Sequence, residues 1–210
     1  MYKALLAVII MAVNAVQAQY PGYKMVTDTS IFHTKFAAAS QKTVSIKSDF
    51  VQEKELSMLS EKIISKGKFY FRKENAVRME YTEPFRYLMI INGSRIYIKD
   101  SQKENKISAK SNKLFEQINK IMMECVNGSA LANSDFTVRV FENNHLYLAE
   151  LSPVNRSLKS LFKNINLLIS KKDFAVTRIE MHEPSGDNTT IDFVNREMNI
   201  NLSDALFTVN

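Results

Sequence analysis

Three histidines, one cysteine and a scatter of carboxylates are what this chain offers for covalent or metal chemistry, and their spacing does not assemble a site. His33, His145 and His182 are dispersed, with no His-x-x-x-His pair and no paired cysteines that would bring two ligands together. No Gly-x-Ser-x-Gly turn presents a nucleophile, and the five glycines form no phosphate-cradling loop. Asp187 and Asp192 read as a turn residue and a strand-surface residue rather than as an acid–base pair. The chain is therefore read as non-enzymatic, with neither metal nor cofactor. Cys125 is the single cysteine, so no internal disulfide forms. It falls in an apolar helical pattern, where a buried cysteine behaves as a small hydrophobe. What remains is the noncovalent chemistry of a large apolar surface.

Residues 65–97 carry that surface. Phe69 and Phe71 share one side of a strand, because side chains alternate with period two. After the Lys73-Glu74-Asn75 turn, Val77, Met79 and Tyr81 share a side, with Arg78 and Glu80 between them. Pro84 closes the run, a second begins at Leu88, and Asn92-Gly93 gives a hairpin signal before Ile96 and Ile98 resume the alternation. The spacing predicts an antiparallel meander with one apolar and one wet face. Its candidate cavity residues are Phe50, Phe69, Phe71, Val77, Met79, Tyr81, Leu88 and Ile90, with Tyr70, Arg78 and Glu80 facing the other way.

The surrounding elements must position that face. Residues 28–43 read as a helix capped by Asp28 or Thr29, and residues 44–52 as a first strand. Residues 53–62 are polar and read as a strand end and loop; residues 100–111 read as a loop with a short strand. Residues 112–126 form a second helix, with Leu114, Phe115, Ile118, Ile121, Met122 and Cys125 at three-four spacing and Gly128 as its stop. Paired strands at 136–141 and 146–151 flank Asn143-Asn144. A strand series follows at 165–170, 174–182 and 189–194, and residues 199–209 end as a strand or tuck. With nine or ten strands and two substantial helices, the fold class is α+β, mainly β. A strongly curved antiparallel sheet, an incomplete barrel, has helices packed over or plugging its concave apolar face. Periodicity alone leaves the stripe of the second helix open to two readings, plain core or a lid over a ligand.

With 210 residues, 45% hydrophobic and 24% charged, the chain has the composition of one globular domain. Its net charge of +6 is spread without a basic run, which argues against a nucleic-acid partner. Met1-Tyr2-Lys3 is a short basic start, and residues 4–13 are an apolar run too short to span a bilayer. Val16 and Ala18 supply the small residues of a cleavage site. We expect a signal peptide over residues 1–18, cleavage after Ala18, and a single exported domain over residues 19–210.

Phe50-Val51-Gln52, then Gly67-Lys68-Phe69-Tyr70-Phe71-Arg72, then Arg78-Met79-Glu80-Tyr81-Thr82-Glu83-Pro84 resemble, in order and spacing, the outer-membrane lipoprotein carrier (LolA-like) family. Asn92-Gly93 followed by Ile96-Tyr97 fits that family's next hairpin. The motif-bearing part covers residues 48–98. The resemblance implies a periplasmic, monomeric carrier whose cavity takes lipoprotein acyl chains, or another lipid, from an inner-membrane release complex to an outer-membrane acceptor. It also implies that Leu114, Phe115, Ile118 and Met122 form the lid. Two positions depart from the pattern. Met79 stands where the family places Trp. Lys73-Glu74 stands where the family's lid-holding Arg precedes Pro, so Lys73 becomes the candidate gate, with charge and donors but without a planar fork. A glycolipid or other amphiphile as cargo, and an envelope sensor or interaction domain, are the alternatives.

Overall fold

The computed structural model describes residues 20–59, 61–73, 76–93, 95–100, 104–108, 121, 123–126 and 128–208. Strand-forming alternation and turn residues divide the chain into β1 (Lys24–Met25), β2 (Ser45–Leu56), β3 (Glu61–Arg72), β4 (Ala76–Glu83), β5 (Tyr87–Asn92), β6 (Arg95–Asp100) and β7 (Glu104–Ser108). The second half adds β8 (Phe136–Glu142), β9 (Leu146–Pro153), β10 (Asn164–Ser170), β11 (Val176–His182) and β12 (Asn188–Met198). They form one 12-stranded sheet in the order β1-β8-β9-β10-β11-β12-β2-β3-β4-β5-β6-β7. Neighbours are antiparallel, and among the described residues no ladder joins β1 to β7, so the curved sheet is open. Register shifts at Leu168/Ile169, Val194/Glu197 and Lys66/Gly67 mark bulges, which bend a strand and increase its twist.

Helix α1 (Ser30–Lys42) lies between β1 and β2 in the chain. Of the two candidate caps, Asp28 acts: its Oδ1 accepts the Ser30 N–H at 3.0 Å, and Thr29 makes no side-chain cap bond. Phe32 and Phe36, one turn apart, are its buried residues and join the main core cluster. Of the expected second helix, residues 121 and 123–126 are helical; Leu114, Phe115, Ile118 and Met122 lie outside the described residues. Ile121, Met123, Cys125 and Val126 are buried in the same cluster as the α1 phenylalanines. Gly128 follows at φ +80°, a left-handed stop, and a Cβ there would lie 2.3 Å from the Phe36 ring. The glycine thus ends one helix and admits the side chain of another.

The polar stretch expected as a strand end and loop is the end of β2, a turn, and the start of β3, which together make a long hairpin. β2 and β3 run 12 residues each, paired as far as Leu56↔Glu61. Cross-strand charge replaces apolar burial there, with Lys62 Nζ 2.7 Å from Glu53 and 3.3 Å from Glu55. At the other end of the chain, the expected strand or tuck is a 3-10 turn, Asp204–Phe207. It lies against the outer side of β4 and β5, where Phe207 forms a second small core with Leu202 and Ala76.

Candidate functional site

The ladder aligns three apolar rungs across the concave face. Phe193, Phe50, Gly67, Tyr81 and Tyr87 form one, from β12 to β5. Ser48, Phe69, Met79, Met89 and Ile98 form the next, and Ile46, Phe71, Val77, Ile91 and Ile96 the third. Phe50, Phe69, Phe71, Val77 and Met79 are buried in one core cluster, and Tyr81 packs half-buried against it. Tyr70, Arg78 and Glu80 occupy the alternate positions.

Leu88 and Ile90 require a correction. Their ladder partners are Glu80 and Arg78, so they lie on the outer face, and Met89 and Ile91 take the inner positions. Leu88-Met89-Ile90-Ile91 is apolar throughout and carries no parity of its own; only the ladder with β4 assigns it. Ile90 is nevertheless buried. Nearby on that side, the Arg78 Nη1 donates to the Leu206 carbonyl at 3.3 Å and the Asn92 Nδ2 to the Phe207 carbonyl at 3.2 Å.

Packing requires a glycine at the head of the Gly67-Lys68-Phe69 stretch. A Cβ on it would meet the Glu80 carbonyl oxygen at 2.1 Å and the Phe50 ring at 2.7 Å. Its absence lets Phe50 lie flat across β3 and meet Tyr81 edge to face at 4.9 Å. Tyr81 in turn donates its hydroxyl to Gln52 Oε1 at 2.9 Å. Burial, reinforced by the neighbouring Tyr87, pushes the Tyr81 phenol up to about 12.

The chain fills one part of its own concavity. Met123 and Val126 close over Phe69, Val77, Met79, Met89 and Ile91, leaving a void of about 10 Å³. That is no more than one water would need, and the walls are apolar. A larger cavity of about 230 Å³ opens beside the C-terminal end of α1. Phe36, Ile46, Phe71, Val126, Phe174, Val176 and Met198 give it apolar walls, and Ser40, Thr43 and Lys73 give it polar ones. Val126 borders both spaces. The Lys73 Nζ donates to the Gln41 carbonyl at 2.9 Å, while its backbone N–H donates to Val44 at 2.8 Å. The candidate gate therefore holds the C-terminal end of α1, an arrangement the helix dipole favours. Phe36, Met123, Val126 and Phe174 line these spaces without any local signal that singles them out. Residues 28–43 read as a helix from sequence, but nothing local says where that helix docks.

Asp187, Asp192, His182 and Cys125 are engaged elsewhere. Asp187 accepts the Ser57 N–H at 2.9 Å and its hydroxyl at 3.0 Å, which hold its carboxyl below the usual range. Asp192 pairs with Arg178 at 2.6 Å. His182 Nδ1 lies 2.7 Å from Asn188 Oδ1. Cys125 is fully buried, and burial pushes its thiol far above the usual range. Among the described residues no group of His, Cys, Asp or Glu could hold a metal ion.

Residues 41–210 match the family described as "Outer membrane lipoprotein carrier protein LolA". No curated protein matches the chain. Among solved structures, MucB in its complex with MucA from Pseudomonas aeruginosa is similar at 14% identity and TM-score 0.54, over 87% of this chain and 61% of that one. An uncharacterized conserved protein of Thermus thermophilus is similar at 10% identity and TM-score 0.51, over 84% and 92%. A LolA superfamily protein of Nitrosomonas europaea is similar at 12% identity and TM-score 0.45, over 84% and 97%.

Proposed function

The chain belongs to the outer membrane lipoprotein carrier (LolA) family, and from that premise we propose that it is an exported carrier that shields lipoprotein acyl chains between the inner and outer membranes. The observation that supports this most is the apolar concave face covered by the chain's own helical residues. Each acyl CH₂ left in water costs about 0.8 kcal/mol, so a carrier must offer continuous apolar surface. It must also release its load. A concavity already filled by Met123 and Val126 lowers net affinity, because cargo has to displace them. The methionines Met79, Met89 and Met123 are flexible enough to repack around chains of different shape. In this reading residues 1–18 are removed as a signal peptide, residues 19–210 act as one domain in the periplasm, and Phe50, Phe69, Phe71, Val77, Met79 and Tyr81 meet the acyl chains. Leu114, Phe115, Ile118 and Met122 act as the lid in this reading, and Lys73 latches α1.

Native mass spectrometry of gently purified protein, with saturation binding of a fluorescent fatty acid, tests it. We expect acyl species bound one to one and competed by a triacylated lipopeptide; absence of saturable binding would refute any lipid-carrier reading. The likeness to MucB, solved with MucA, favours one second reading, a non-enzymatic interaction domain of the envelope. That reading expects a clean unliganded mass and no uptake of the fatty acid.

A further inference from the structure

Phe174 stands where a glycine or asparagine costs least. Its φ is +55°, in the left-handed region that bulky side chains avoid, and it closes the turn between β10 and β11. The turn is braced from several sides. The Phe174 N–H donates to the Ser170 carbonyl at 2.9 Å, and the Ser170 N–H to the Ala175 carbonyl at 3.0 Å. Lys171 reaches Glu142 of β8 at 2.7 Å and lies over the Tyr147 ring at 4.7 Å. Asp173 pairs with Arg196 of β12 at 3.6 Å. A strained backbone persists only where its surroundings over-determine it, and such positions cluster at clamps and switches.

The ring so held has a specific place. It packs on Tyr147 at 5.8 Å; Tyr147 packs on Phe32 at 4.8 Å, and Phe32 on Phe36 at 5.7 Å. This aromatic chain ties the β10–β11 turn to α1. Phe174, Phe36 and Lys73 all line the cavity of about 230 Å³ beside the end of α1. That volume lies below the roughly 300–1,000 Å³ of pockets for drug-sized ligands, and its apolar walls suit one linear alkyl chain. Val126, one of its walls, also lines the closed space over Phe69, Met79 and Met89.

We propose that Phe174 is the gate of an alkyl-chain portal, the cavity between the C-terminal end of α1 and the β10–β11 turn. A chain tip enters between the Phe174 and Phe36 rings, passes along Ile46 and Phe71, displaces Val126 and reaches the part of the concave face over Phe69, Met79 and Met89. The ring must move aside both for entry and for release, while contributing little to the bound state. This inference rests on the carrier reading and adds the route and the residue that controls it.

Stopped-flow fluorescence with 11-(dansylamino)undecanoic acid tests the gate on full-length mature protein. Phe174→Gly removes both ring and strain; Phe174→Asn removes the ring and keeps a residue tolerant of the left-handed region. Both variants are expected to raise association and dissociation rates together by about tenfold, the scale of losing a gating contact, with equilibrium affinity changed far less. Faster dissociation with unchanged association makes Phe174 a wall of the site and overturns the gate. Unchanged rates, after correction for the folded fraction by circular dichroism, reduce it to packing and overturn it equally. If the unsubstituted protein takes up no probe, the carrier reading fails first and the gate with it, an outcome distinct from normal uptake at unaltered rates.

Discussion

Replacing Phe71 by Glu, beside Tyr70→Glu as its neighbour in sequence, tests which face of the meander is closed. Phe71 is 3% exposed, faces Ile46 and Val77 in the ladder, and borders the larger cavity. Losing the buried phenyl group costs about 2 kcal/mol. Keeping the carboxyl neutral in apolar surroundings at pH 7, against an ordinary value near 4.3, costs about 1.4 kcal/mol per unit, or about 4 kcal/mol. The sum, about 6 kcal/mol, reaches the lower range of ordinary domain stability, about 5–15 kcal/mol. The sign with pH follows from a folded-state value raised above the unfolded one. The destabilisation is largest at neutral pH and shrinks as pH falls toward 5, where the neutral form costs about 1 kcal/mol, so about 3 kcal/mol returns. Water entering the cavity, or Lys73 at its rim, lowers the neutral-pH cost and flattens the slope by the same amount. Tyr70 lies on the outer face against the small Phe207 core, so Tyr70→Glu should cost about 1 kcal/mol with no added pH slope. Urea melts at pH 5, 6 and 7, each referred to the unsubstituted protein, measure both quantities, and dansyl-fatty-acid binding to the folded fraction follows. Equal destabilisation of the two variants with equal pH slopes would refute the assignment of faces.

Gly128→Ala meets both a positive φ and a Cβ position 2.3 Å from the Phe36 ring. It should lower stability by about 2–4 kcal/mol, read as a shift in the urea midpoint at unchanged slope. Lys73→Met keeps the aliphatic stem and removes the hydrogen bond to Gln41. It should cost about 1 kcal/mol and raise fatty-acid association about fivefold by loosening α1, with Lys73→Arg restoring the slow rate. Fast association in the Arg variant would show that a donor at this position does not latch the helix.

Much of this architecture was legible without coordinates, because it rests on local periodicity. Phe69, Phe71, Val77, Met79 and Tyr81 alternate with polar neighbours, and the period of a strand dictates that such residues share a side. Asn92-Gly93, Asn143-Asn144 and the helix stop at Gly128 are equally local, as is the run of motifs that marks the family. Four other features needed the tertiary structure. The apolar run at Leu88 to Ile91 has no alternation, so only hydrogen bonding to β4 could send Leu88 and Ile90 outward. The hairpin extending to Leu56 and Glu61 is held by charges that pair only once its strands are in register. The tail at Leu202 and Phe207 covers an outer patch that no sequence period announces. The portal joins Phe36, Lys73, Val126 and Phe174 from four separated segments, and only the curvature of the sheet brings them around one cavity. Period is a property of neighbouring residues, whereas the cavity is a property of distant ones, so the chain spells out the apolar face and the helices over it but not the space they enclose.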